Sequence, residues 1–219
     1  MIEWVAELSA KAVGNENVYI ATENNEIFSK VREVGFKAIL TSDECLTGTD
    51  RVAEVAKKIE ADIYVNVQGD EPLINSNDIK KIIDAKKKYP SDVINAYTEI
   101  EYDQNPTNLN IPKVIFTKDK RLIYISRKDI PGFKEKLNKP DTYYKQVCIY
   151  AFNQKELEMF YDYGEKSKLE KSEDIEILRF LELEKTIRLV QTREGSIAVD
   201  KPSDVKKVEL ALKNLHLDN

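Results

Sequence analysis

The sequence predicts an α/β protein with a doubly wound, mostly parallel (mixed) sheet, because strand-like and helix-like segments alternate along the chain. Short apolar runs rich in β-branched residues are each followed by a segment of helical periodicity. The runs lie at residues 18–22, 37–40 and 62–67, and the helical segments at 26–34, 50–59 and 76–87. This alternation is typical of a parallel sheet covered by helices. The run at 62–67 is apolar enough to be a central strand buried on both faces.

The middle of the chain departs from this pattern. Residues 105–152 contain apolar runs at 112–117, 122–126 and 144–152 with no helical segment between them. We therefore predict antiparallel strands in an insertion that lies on the sheet instead of continuing it. The α/β pattern then returns, with helices at 154–162, 174–184 and 203–215 and a strand at 187–191, and a further helix is predicted at 2–13. Residues 1–219 are accordingly predicted to form one domain.

Charge and residue usage exclude several kinds of function. The net charge of −5, with acids and lysines interspersed, argues against a nucleic-acid partner, which usually needs a basic surface. His216 is the single histidine and lies near the C-terminus, so the chemistry must depend on carboxylates and on Arg or Lys, with or without a metal. Cys45 and Cys148 have no metal-ligand spacing. With no run near the ~20 apolar residues of a membrane span and no signal-peptide pattern, we expect a cytoplasmic protein without membrane insertion.

Acidic residues directly follow the predicted central strand. Gln68, Gly69, Asp70 and Glu71 stand where the strand ends, and ligands of doubly wound folds bind outside the carboxyl ends of the strands. Gly69 permits close approach of a ligand to the backbone. Mg²⁺ is commonly held by one or two carboxylates together with substrate phosphates, so Asp70 suits a nucleotide–metal site. The alternative is a solvated turn, since turns attract Asp.

Other candidates depend on similar positions. Asp200 also follows an apolar run and precedes a helix, so it is either a turn residue or a second carboxylate beside Asp70. The Thr47–Gly48 turn leads into a helix, where backbone N–H groups can donate hydrogen bonds to ligand oxygens and Arg51 follows within a turn. An ordinary cap, with Thr49 as the N-cap, is the alternative. Arg127 is a candidate anion ligand. We expect Arg179, in contrast, to form a surface or structural ion pair.

Taken together, these stretches resemble the CMP-Kdo synthetases (3-deoxy-manno-octulosonate cytidylyltransferases). The matching segments are 18–22 (VYIAT), 47–51 (TGTDR), 65–74 (VNVQGDEPLI), 126–131 (SRKDIP), 149–150 (IY), 169–170 (LE), Glu176, 178–179 (LR) and 199–200 (VD). They span nearly the whole chain, and VNVQGDEP is highly specific to the family.

The resemblance implies the nucleotide-diphospho-sugar transferase fold and transfer of CMP from CTP to the sugar acid Kdo in a homodimer. From the loss of β-α alternation and the apolar and aromatic residues at about 105–152, we predict that this insertion contributes to dimerisation and to sugar binding. The catalytic set is Asp70, Asp200 and Arg127, with Mg²⁺ held by Asp70 and Asp200. The cytidine side is implied to include Thr47, Gly48 and Gln68; the sugar-acid side is implied to include Arg127, Lys145, Gln146 and Glu176; and Arg51 and Glu71 are further substrate-binding candidates.

Several features differ from the family pattern. The family's opening strand and its loop rich in Arg and Lys have no counterpart before Met1, from which we expect poor turnover of CTP by the chain as it stands. Gln146 stands where His is common, Ile177 where Gln is common, and Leu46 replaces a usual polar residue. Two alternatives therefore stay open: a cytidylyltransferase for a related acid, such as 8-amino-Kdo or a sialic-type sugar, and a truncated or degenerate non-catalytic relative.

Overall fold

The computed structural model describes residues 1–101, 104–193, 198–199 and 201–217. The helices are α1 (Ile2–Val13), α2 (Asn25–Glu33), α3 (Gly48–Ala56), α4 (Ser76–Lys88), α5 (Gln154–Asp162), α6 (Lys168–Glu173), α7 (Leu178–Glu182) and α8 (Pro202–Leu217). The strands are β1 (Tyr19–Thr22), β2 (Lys37–Leu40), β3 (Tyr64–Val67), β4 (Val93–Glu99), β5 (Lys113–Phe116), β6 (Leu122–Ser126), β7 (Tyr144–Phe152) and β8 (Ile187–Gln191).

The larger sheet is mixed and is built around β7. Its order is β6-β5-β7-β4-β8, and β3 pairs with β7 as well. Along one edge β7 is antiparallel to β4, and along the other it is antiparallel to β3 and, at its amino end, to β5. Since β8 is parallel to β4, the strands β3, β4 and β8 all run in the same direction. Their carboxyl ends therefore share one edge of the sheet, where a ligand site is expected.

This arrangement confirms the α/β fold class and corrects the interpretation of residues 105–152. The antiparallel pairing of β5, β6 and β7 is as predicted. The segment does not lie on the sheet, however, because β7, which is part of the segment, is the central strand of the sheet. Val147, Ile149 and Ala151 are buried and pack with Ile79 and Ile82 of α4, so this apolar run fits a fully covered position.

The first two strands form a separate parallel pair. In the described part of the chain, β1 and β2 pair only with each other. A two-stranded sheet is marginal alone, and helices support it: Ala6 of α1 and Val31 of α2 pack with Ile20 of β1. On another side, α3 contacts β1, β3 and α5.

Two predicted helices have different bounds for clear local reasons. The α3 helix begins at Gly48 because Thr47, not Thr49, is its N-cap. The predicted helix at 174–184 is shorter, because only α7 (Leu178–Glu182) falls within it and Asp174, in the left-handed conformation (φ 51°), ends the separate helix α6 just before it. In the described residues, no helix combines the length and apolar character that crossing a membrane requires.

Candidate active site

The first turn of α3 is fixed by its own capping residues. The Thr47 hydroxyl accepts a hydrogen bond from the Asp50 amide at 3.2 Å and donates to Asp50 Oδ2 at 2.7 Å. Thr49 and Asp50 are buried, whereas Thr47 and Gly48 are half-buried. The predicted nucleotide turn is therefore held on its inner side and stays accessible at Thr47 and Gly48.

Glu176 connects this turn to the end of β3. Its Oε2 accepts a hydrogen bond from the Thr49 amide at 2.9 Å, and its Oε1 accepts one from Gln68 Nε2 at 2.7 Å. Burial raises the pKa of Glu176, and hydrogen bonds from the Thr49 amide and from the Thr47 and Thr49 hydroxyls oppose that rise. One carboxylate thus brings together three segments that are far apart in sequence.

Gly48 faces the same group of side chains. A Cβ atom on Gly48 would lie 3.4 Å from Gln68 Nε2, 3.6 Å from Asn66 Nδ2 and 3.7 Å from Glu176 Oε2. These are ordinary van der Waals distances, so glycine is not required here by backbone strain or by a clash. Glycine leaves the position next to Gln68, on the predicted cytidine side, without a side chain.

The loop after β3 has one buried and one half-buried carboxylate. Glu71 Oε1 accepts a hydrogen bond from the Cys148 amide at 3.2 Å, so this buried side chain joins the loop to β7. Burial, with Glu71 and Asp70 close by, raises the pKa of the Cys148 thiol well above its usual value. Gly69 makes room for α1, because a Cβ there would lie 3.0 Å from Ile2 Cδ1.

The predicted metal site is described only at Asp70. Asp200 lies outside the described residues, but the Val199 amide next to it donates to the Asp70 carbonyl oxygen at 2.9 Å. In the described ranges no group of three or more His, Cys, Asp or Glu side chains could hold a metal ion. Carboxylate oxygens suit Mg²⁺, and a pair of carboxylates is enough when substrate phosphates complete the shell. The donor type therefore fits, and the site itself stays a prediction.

Two predicted cationic residues make structural contacts. Arg51 donates to Thr41 Oγ1 at 2.6 Å and pairs with Glu23 at 2.8 Å, which joins α3 to the ends of β1 and β2. Arg127 donates to the carbonyl oxygens of Leu109, Glu173 and Asp174. With three donors on backbone carbonyls, Arg127 fixes the segment that leads to Glu176. Its role as an anion ligand stays a prediction.

Lys145 and Gln146, which the resemblance implies on the sugar-acid side, are neighbours on β7 and point to opposite faces of the sheet. Lys145 Nζ donates to Gln104 Oε1 at 2.9 Å. Gln146 Nε2 donates to Asn95 Oδ1 at 3.0 Å and to the Tyr150 hydroxyl at 3.3 Å. Burial raises the pKa of Tyr150, and the nearby Cys148 and Glu176 add to that rise. Gln146 is therefore held on the sheet by Asn95 and Tyr150.

For Arg179 the sequence left two alternatives, a surface ion pair and a structural one. Arg179 is fully buried and not on a helix surface, although the expected structural ion pair is present with Asp50 and Glu170. Tyr150, an aromatic residue of a type that commonly packs in sheets, also accepts a hydrogen bond from Gln146 Nε2 at 3.3 Å. The signal that links Arg179 to the site is its three-residue spacing from Glu176, across a turn in which the Arg179 amide donates to the Glu176 carbonyl oxygen at 3.1 Å.

Comparison with known proteins decides the family. A family model described as cytidylyltransferase matches residues 1–187. The chain belongs to the cytidylyltransferase family. It is 36% identical to the 3-deoxy-manno-octulosonate cytidylyltransferase of Christiangramia forsetii, over 90% of this chain and 80% of the relative. It is 32% identical to the 8-amino-3,8-dideoxy-manno-octulosonate cytidylyltransferase of Shewanella baltica, over 97% and 87%.

A solved structure from the same family has the same fold as this cytidylyltransferase. A CMP:2-keto-3-deoxy-manno-octonic acid synthetase complexed with CTP superposes with a TM-score of 0.87 at 30% identity, covering 97% of this chain and 87% of that one. The family and the nucleotidyltransferase class predicted from the motifs are confirmed, together with the fold. The roles of the individual site residues are not decided by these similarities.

Proposed function

We propose that this cytidylyltransferase transfers CMP from CTP to 3-deoxy-manno-octulosonate and releases pyrophosphate. The arrangement that supports the proposal most directly is the convergence of the Thr47–Gly48 turn and Gln68 on Glu176 at the carboxyl end of β3. In this reaction the anomeric hydroxyl oxygen of the sugar forms a bond to the α-phosphorus as the bond to pyrophosphate breaks.

The nucleotide is proposed to bind over the accessible side of the turn. Gly48 leaves the position next to Gln68 without a side chain, and the Gln68 amide is held in place by Glu176 at 2.7 Å. A held amide offers fixed hydrogen-bonding groups to a base, and fixed polar groups discriminate well between bases because a mismatch leaves them unpaired.

Asp70 and Asp200 are proposed to hold Mg²⁺ beside the phosphates. The ion supplies neutralisation of the negative charge that develops on them. The chain itself holds the loop after β3 at two points. Glu71 accepts a hydrogen bond from the Cys148 amide of β7, and the Asp70 carbonyl oxygen accepts one from the Val199 amide.

The sugar acid is proposed to lie between the nucleotide turn and the Gln146 end of β7. Gln146, Tyr150 and Glu176 offer hydrogen-bonding groups there. Arg127 is the proposed cationic partner of the sugar carboxylate, whereas Lys145, on the face of β7 opposite Gln146, is less favoured for that role. We also propose a cytoplasmic homodimer in which residues 105–143, the part of the predicted 105–152 insertion that precedes β7, contribute to the interface.

A second acceptor is supported by one observation, the similarity to a relative named for the 8-amino sugar acid. Pyrophosphate release should be measured with CTP, Mg²⁺ and, in turn, Kdo, 8-amino-Kdo and a sialic acid. Kdo should give the highest kcat/KM. A preference for the 8-amino acid would move the proposal to that substrate, and CTP binding without turnover of any acid would favour the non-catalytic alternative.

A further inference from the structure

Arg179 is the most completely buried cation of the described site. Its guanidinium donates to Asp50 at 2.7 and 3.2 Å and to Glu170 at 2.8 and 2.8 Å. It also lies 3.7 Å from the centroid of the Phe160 ring. Burial opposes the charged form, but the hydrogen bonds with Glu170 and Asp50 outweigh it and raise the pKa of Arg179. The side chain is therefore a fixed, permanently charged group.

One of the two carboxylates leads directly to the nucleotide turn. Asp50 Oδ2, which accepts from Arg179 Nη2, also accepts from the Thr47 hydroxyl at 2.7 Å. A displacement of Arg179 would therefore be transmitted through Asp50 to Thr47. The planar guanidinium matches Asp50 with two N–H groups, which a lysine ammonium cannot reproduce.

The other carboxylate leads away from the turn. Glu170 accepts from the Ser167 amide at 3.0 Å as part of the capping box of α6. No hydrogen bond or ion pair described for Glu170 reaches residues 47–49. The two partners of Arg179 thus allow a separation of its contribution to stability from its effect on the turn.

Arg179 also shares a short segment with the other residue that holds the turn. Glu176 lies three residues earlier and accepts from the Thr49 amide. Residues 176 and 179 therefore hold the start of α3 at two points, one on its backbone and one through Asp50.

We propose that Arg179 is a positioning residue that, through Asp50, sets the Thr47–Gly48 turn for recognition of the cytosine base. The inference rests on the proposed function, in which this turn faces the nucleotide. It predicts that loss of the Arg179–Asp50 arm weakens discrimination between CTP and UTP, whereas loss of the Glu170 arm affects stability alone.

The test compares R179K and D50N with E170Q as the matched control. We expect R179K and D50N to raise KM for CTP about tenfold or more, the order of one lost charged hydrogen bond, and to lower the CTP/UTP preference. E170Q should leave both within about twofold, although all three variants should have a lower free energy of unfolding in denaturant. An equal effect of E170Q on KM and preference, or no effect of R179K and D50N, would overturn the proposal.

Hydrogen exchange distinguishes failure of this inference from failure of the proposed function. The Thr49 and Asp50 amides should lose protection about tenfold in R179K and D50N without nucleotide, and should be unchanged in E170Q. If the wild-type chain binds no CTP but this exchange pattern holds, the proposed function is wrong and Arg179 still sets the turn. Unchanged exchange in both variants would refute the positioning role. D50N keeps the test available should R179K fail to fold.

Discussion

Gln68 and Glu176, 108 residues apart in the chain, form a side-chain hydrogen bond of 2.7 Å from Nε2 to Oε1. The bond joins the loop after β3 to the segment between α6 and α7, and the second oxygen of the same carboxylate accepts from the Thr49 amide. Both carboxylate oxygens of Glu176 therefore accept a hydrogen bond. A substitution that leaves only one acceptor oxygen at this position tests the site.

The substitution E176Q should weaken CTP binding. A glutamine offers one acceptor oxygen where two are needed, so it must lose one of the bonds or make the Gln68 amide turn over, which reverses the hydrogen-bonding groups that Gln68 presents. The loss of a hydrogen bond to a charged group costs about 1.5–3 kcal/mol, which predicts a rise in KM for CTP of about tenfold to 100-fold. Pyrophosphate release at varied CTP measures it.

E182Q is the matched control for this change. Glu182 also accepts from a backbone amide, that of Leu169, and from the Ser167 hydroxyl, but it has no described contact with the nucleotide turn. We expect its KM to stay within about twofold of the wild type. Equal KM changes in the two variants would mean that Glu176 acts only on stability.

The substitution D70N should remove most of the turnover while the fold is kept. An amide is a much weaker Mg²⁺ ligand than a carboxylate, and loss of one contributor to transition-state charge stabilisation commonly costs ~10²–10³ in rate. Turnover should be measured over a range of Mg²⁺ concentrations, with circular dichroism as a check of folding. The control is D62N, because Asp62 is exposed and precedes the amino end of β3, whereas Asp70 follows its carboxyl end. Wild-type turnover by D70N would remove Asp70 from the proposed metal site.

Lys113 should make the stability of the fold depend on pH. Burial lowers its pKa from 10.5 to about 8, the nearby Arg127 lowers it too, and Asp129 and Glu173 oppose the shift. Between about pH 8 and 10.5 the unfolded chain carries a proton on Lys113 that the folded chain has lost, so the free energy of unfolding gained from this residue rises with pH.

K113Q tests this expectation because it keeps a donor for the carbonyl oxygens of Asn108 and Arg127. The difference in unfolding free energy between wild type and K113Q should change with pH in that range. Its slope should be at most about 1.4 kcal/mol per pH unit, the value for the release of one proton. The exposed Lys30 provides the control variant, K30Q. A difference independent of pH would show that Lys113 titrates normally.

If the proposed dimer forms, a single substitution at its interface should halve the mass of the particle in solution. Leu109, Phe133 and Leu137 are exposed apolar residues of the 105–143 segment, and Leu137 is 93% exposed. We expect light scattering at micromolar concentration to give twice the 25.2 kDa chain mass, and L137D to give the single-chain mass. A charge at a buried interface position would be desolvated without a partner. L210D, an exposed leucine on α8, is the control. A monomeric wild type would contradict the proposal.

The elements whose pattern is local were predictable from the sequence. The bounds of α1, α5, β6, β7 and β8 agree with the prediction, because apolar periodicity and capping residues act within a few positions. The bounds of α3 depended on which threonine caps it, and the break at Asp174 depended on a single left-handed residue, a choice that periodicity does not encode.

The family and the candidate site segments also followed from the sequence, because residues 65–74 form a specific motif. The sequence alone determined that the chain is an α/β cytidylyltransferase whose acidic loop follows a buried strand. Only the tertiary structure decided that β7 is central, that Glu176 joins the Thr47–Gly48 turn to Gln68, and that Arg179 is held between Asp50 and Glu170. These contacts join residues 9 to 129 positions apart, and long-range pairing depends on how buried charges find partners in the packed chain and not on any local preference.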